Sequence, residues 1–124
     1  MGIVDILGNL ANWLQSIGYQ AIIEPTTPID AGQVAIFFIK ADIEDAAYQN
    51  KYKFNTIIEL VFVENTMEDC LTKINSIISN LTPSVLGEGV ILLTNSVEVR
   101  EKEEGEPYYA MALLLSVTYF GNEL

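Results

Sequence analysis

From Tyr108 to Phe120 the chain alternates with a period of two. Tyr109, Met111, Leu113, Leu115, Val117 and Tyr119 fall on one side, and Ala110, Ala112, Leu114, Ser116, Thr118 and Phe120 on the other. Successive side chains of a strand point to opposite faces, so the first set forms a continuous apolar wall. The second set is mostly small and lets another layer approach. Gly89 to Glu101 reads as the partner strand, apolar early (Val90, Ile91, Leu92, Leu93) and polar late (Glu98, Arg100, Glu101). Lys102-Glu103-Glu104-Gly105-Glu106-Pro107 joins the two limbs and has the composition of a solvated turn. A wall of this size must be covered, and the remainder of the chain has to supply the cover.

Two segments fit that task. Ile3, Ile6, Leu7, Leu10, Trp13, Leu14 and Ile17 follow helical spacing, and Gly18 is placed to end that helix. Met67, Cys70, Leu71, Ile74, Ile77, Ile78 and Leu81 form a second stripe. There Asn65 and Glu68 are set out like a capping box, and Pro83 lies beyond the end. Between the helices, Val34 to Ala41 and Tyr52 to Val63 read as strands joined by an extended loop, Asp42 to Lys51. Tyr19 to Glu24 is a short extended segment, and Pro25 to Gly32 is a loop by composition. The expected architecture is a single α+β domain over residues 1–124 with the order α-β-β-α-β-β. Its sheet would be antiparallel, of about four strands, with two helices packed on one face.

The same residues exclude much chemistry. The chain has no histidine, which removes the commonest general base and metal ligand, and with it Cys-His and Ser-His catalysis. Its one cysteine, Cys70, falls on an apolar helix stripe and reads as a buried thiol. No segment carries a phosphate-binding glycine pattern, a calcium-loop spacing or a paired-carboxylate cleft. No enzyme activity, cofactor or metal is expected. Seventeen acids against six bases give a net charge of −11, which opposes binding to nucleic acid and to anionic membranes. Asp5 stands where a secretory signal would carry a base, and Ile6 breaks the myristoylation pattern after Gly2. These features predict a cytosolic protein.

The surplus of apolar surface is more informative. With both helices on one face, the opposite face keeps Phe37 or Phe38, Val61, Val63, Leu114 and Phe120, a candidate subunit interface. The competing possibility is that residues 19–24 or 25–32 cover it.

The order helix, two strands, helix, two strands in a small acidic chain resembles the tail terminator, or tail completion, proteins of long-tailed phages and prophages. Related minor capsid and neck proteins share the style. The features that carry the resemblance are the helix Ile3–Ile17, the hairpin Val34–Val63 with its long loop, the helix Thr66–Leu81, and the closing hairpin ending in Leu114-Leu115-Ser116-Val117-Thr118-Tyr119-Phe120. The resemblance implies a structural virion protein without catalytic function. It would form a ring, usually of six copies, that caps the tail tube and offers a head–tail joining surface. Partners would be the chain itself and tail-tube and head-completion proteins, first in the host cytoplasm and then in the virion tail. It also places the loop acids Asp42, Glu44 and Asp45 toward the ring lumen or tube, where like charge would keep passing DNA from sticking. Closure of so acidic a ring would depend on salt. Two other readings compete: an acidic DNA-mimic inhibitor of a nucleic-acid-binding protein, and a ferredoxin-like ligand-binding domain.

Overall fold

A computed structural model describes residues 2–46, 51–100 and 108–124. The acidic turn read at 102–107, with Glu101, Glu103, Glu104 and Glu106, lies outside the described residues, as does the tip of the first hairpin at 47–50. In chain order the elements are α1 (Ile3–Ser16), β1 (Gln20–Ile23), β2 (Gln33–Ala46), β3 (Lys51–Glu64), α2 (Met67–Asn80), α3 (Pro83–Leu86), β4 (Ile91–Arg100) and β5 (Tyr109–Gly121).

The expected antiparallel four-stranded sheet is corrected. The described strands form one five-stranded mixed sheet in the order β1-β2-β3-β5-β4, with β1 parallel to β2 and the other pairs antiparallel. The short segment after α1 is therefore a true edge strand. Parallel neighbours need a crossover, and nine residues, 24–32, suffice here because β1 has only four. Glu24 begins the crossover in the left-handed region, with φ of 47°. Its carboxylate accepts a hydrogen bond from the Phe38 amide at 2.7 Å. At the far end the Gly32 amide donates to the Val63 carbonyl at 2.9 Å.

β3 and β5 pair without interruption from Tyr52↔Gly121 to Glu64↔Tyr109, so the alternation seen in β5 becomes the wall it implied. Phe54, Ile58, Leu60 and Phe62 from β3 join Met111, Leu113, Leu115, Val117 and Tyr119 in the core, against α1, α2 and Leu86 of α3. Thr56 shares this face, and its hydroxyl donates to the Val117 carbonyl at 2.7 Å, which satisfies a fully buried polar group.

Local details differ from the pattern-based reading. The cap of α2 is Thr66, whose hydroxyl accepts from the Asp69 amide at 3.1 Å, and not Asn65. Met67 and Ile78, read as core, are exposed, while Cys70, Ile74 and Ile77 are buried. The segment after Pro83 is a one-turn helix whose Leu86 is fully buried. The start of α1 is held by Leu124, whose carbonyl accepts from the Ile3 amide at 2.7 Å. A Cβ on Gly2 would come within 2.6 Å of that oxygen, so the close approach requires glycine there.

The extended loop predicted from Asp42 to Lys51 is also corrected. β2 and β3 each run for 14 residues and stay paired as far as Ala46↔Lys51, forming a long hairpin arm. β2 contains a bulge at Ile39, between the pairs Phe38↔Ile58 and Lys40↔Ile57. One extra residue reverses the parity of everything beyond it. Before the bulge even-numbered residues of β2 face the helices; beyond it Ala41 and Ile43 do, opposite Thr56 and Phe54.

Candidate functional site

The face of the sheet away from the helices is the candidate site, and the register fixes its rows. Ala35, Val61, Ala112 and Glu98 lie across from one another, then Phe37, Glu59, Leu114 and Ser96, then Lys40, Ile57, Ser116 and Leu93. The choice left open between Phe37 and Phe38 is settled. Phe37 is on this face, and Phe38 packs against the core on the other.

The crossover 24–32 roofs one end of the face. Pro25, Thr27, Pro28 and Ile29 enclose a shallow cavity of about 240 Å³ with Ala35, Phe37, Val61, Val63 and Tyr108. Val63 is buried beneath this roof, Phe37 and Val61 are half-buried there, and Leu114 is half-buried beyond it. Phe120 is exposed at the base of the arm, opposite Lys53. Of the six candidate interface residues, the fold thus turns Phe38 to the helices and removes Val63 from the surface. Phe37, Val61, Leu114 and Phe120 remain on one side.

Four further exposed apolar side chains lie on β4. Leu93 is 62% exposed, Val99 63%, Ile91 48% and Val97 42%. Ile91 and Leu93 face away from the helices, and Val97 and Val99 face toward them, on either side of a bulge between Thr94 and Ser96. Sequence reasoning missed this strip because the bulge breaks the alternation. The only signal was an apolar start to the strand, which reads equally well as buried.

Asp42, Glu44 and Asp45 lie on the paired arm and not on an unpaired loop, opposite Asn55, Lys53 and Tyr52. Lys40 is 3.5 Å from Asp42, and Lys53 is 3.8 Å from Glu44. Residues 40–53 hold three acids (Asp42, Glu44, Asp45) and three lysines (Lys40, Lys51, Lys53), a net charge of zero. Repulsion of DNA by this arm therefore has no net charge to rest on.

On the other face, Glu64 of β3 and Lys73 of α2 form an ion pair with side chains only 12% and 20% exposed. The Lys73 ammonium also lies 5.1 Å from the centre of the Tyr19 ring. Cys70 is nearby, its thiol 3.6 Å from the Tyr109 carbonyl. Burial, and secondarily the charge of Glu64, pushes the Cys70 thiol up; burial does the same to the Tyr119 phenol. A raised folded-state value means the folded chain holds its proton more tightly than the unfolded chain. Stability is then fully present below the unfolded thiol value of about 8.5 and falls as pH rises above it. Native Cys70 should resist iodoacetamide near neutral pH and react on unfolding in urea, as mass spectrometry of the alkylated chain would show. Among the described residues no group of three or more His, Cys, Asp or Glu side chains converges to hold a metal ion. No helix among them is long and apolar enough to cross a membrane.

No protein-family model and no curated protein matches the chain. Among solved structures it is similar to a chain of the virion of a native gene transfer agent particle, with a TM-score of 0.56. The similarity covers 94% of this chain and 92% of that one, at 12% sequence identity. At that identity the likeness is one of fold.

Proposed function

We propose that this chain is a structural protein of a phage-like virion, acting without catalysis. Within the particle it is a tail terminator: copies close into a ring, caps of the tail tube, and present the surface to which the head-completion proteins join. The observation that carries this reading is the correspondence, over nearly the full length of both chains, with a virion component. The exposed apolar strip on β4 supports it further, because such surface on a chain of this size calls for a partner. Head-to-tail contacts that close by rotation generate a ring.

The test is disruption of the coding sequence in a strain that produces the particle, followed by negative-stain electron microscopy. The expected result is filled heads without attached tails, alongside tails of uncontrolled length. Particles of normal morphology and infectivity would overturn the reading. Tails of normal length that lack heads would narrow the role to joining.

A further inference from the structure

In a chain of net charge −11, two stretches along the edges of the sheet lack charge. Gln20-Ala21-Ile22-Ile23, the whole of β1, has no charged residue, and neither does Ile91 to Val97, most of β4. Among the described residues each of these strands pairs on one side only. An edge of exposed backbone donors and acceptors, flanked by apolar side chains, is a template for another strand. Natural edges are usually protected by lysine, proline or a charge pointing inward. Ahead of its bulge, Ile91 to Thr94 has none of these and exposes Ile91 and Leu93.

Resting on the ring reading above, we infer that adjacent copies join by strand addition, β1 of one copy pairing with β4 of the next. Direction supports this pairing. β1 runs parallel to β2, and three successive antiparallel steps lead from β2 through β3 and β5 to β4. β1 and β4 therefore run in opposite senses, so two copies side by side in the same orientation bring them together antiparallel. Length agrees as well. Four residues, Ile91–Thr94, precede the β4 bulge, and β1 has four before Glu24 turns into the proline loop. Faces also match: Ile22 lies opposite Ala35, on the same side of the sheet as Leu93. Ala35 is level with Ala112 and Leu93 with Ser116, so this pairing sets each copy four residues along the strands from its neighbour. A closed ring takes up such a stagger as a tilt of its strands. Pairing β4 with a second β4 would instead need one copy turned end for end, which makes a closed pair and leaves β1 bare. Charge selects the edges too, since the acidic remainder of each copy repels its neighbour and the uncharged strips do not.

The test is disulfide cross-linking of the purified full chain carrying Ile22→Cys with Leu93→Cys, and separately Ile22→Cys with Ile91→Cys to sample the neighbouring register. Buried Cys70 leaves the introduced thiols as the reactive ones. Oxidation is expected to give a ladder of covalent multimers ending at ring size in one of the two registers, with each single variant staying monomeric on a non-reducing gel. Leu93→Lys, at an exposed position, should abolish the ring in light scattering while leaving the urea midpoint of the dissociated, dilute chain unchanged. Disulfide dimers from Leu93→Cys alone would overturn the proposal in favour of paired β4 strands. Rings that persist without a cross-link in either register, or with Leu93→Lys, would overturn it while leaving the ring reading intact. A folded monomer at every ionic strength would overturn both.

Discussion

Phe54→Ala is expected to cost about 3–5 kcal/mol of folding stability, the range for truncating a buried aromatic. A domain of this size has a total of about 5–15 kcal/mol, so a large part of its margin goes with one ring. Phe54 is 2% exposed on the helix-facing side of β3. Its ring centre lies 5.1 Å from that of Tyr119 and 6.2 Å from that of Tyr52. The Tyr119 hydroxyl donates to the Leu124 carbonyl at 3.2 Å, and that same carbonyl receives the Ile3 amide. Removing Phe54 therefore leaves a cavity and also loosens the group that holds the start of α1. The urea midpoint should fall with an unchanged denaturant slope. Phe120→Ala, on the opposite side and 47% exposed, should change stability by no more than about 0.5 kcal/mol. Equal losses in the two variants would contradict the packing described.

Lys73→Met is expected to cost about 2–3 kcal/mol at neutral pH, somewhat below the value for breaking a fully buried pair because both partners keep some solvent contact. The variant leaves the Glu64 carboxylate without its ammonium and removes the cation from the Tyr19 ring. Adding Glu64→Leu to Lys73→Met should recover much of the loss, because the cost comes mainly from the stranded charge. The double-mutant cycle measured by denaturation reads this coupling directly. Additive losses from the two single variants would show that the pair contributes nothing as a pair.

The parts of the fold legible in the sequence are those with unbroken periodicity. β5 and β3 pair without a bulge, and the alternation read from Tyr109 to Phe120 matches the observed faces. The stripe of α1 and the stop at Gly18, whose φ is 98°, were equally plain. β1 was seen as an extended segment but not as a sheet member, because four residues carry too little pattern to declare a neighbour. Nothing local to them shows that the neighbour is parallel. The arm was misread as a loop because its polar residues mark a strand that leaves the cover of the helices, and polarity in sequence looks the same in both cases. The candidate interface was half legible. Parity within β5 placed Leu114 and Phe120 correctly, but Val63 is hidden by a crossover whose path depends on strand order. The exposed strip of β4 was invisible for a related reason. An edge is a property of the assembled sheet, and the bulge at residue 95 scrambles the only local sign of it.

The single extra residue at Ile39 divides the arm into two reading frames. A graft that borrows the outer half of this hairpin from another protein must bring its own bulge or keep this one. Spliced without it, Ile43 would swap sides with Asp42 and Glu44, moving the isoleucine to the face of Lys53 and the two carboxylates to the face of Phe54. Length changes in this stretch therefore keep the faces only when two residues are added or removed together.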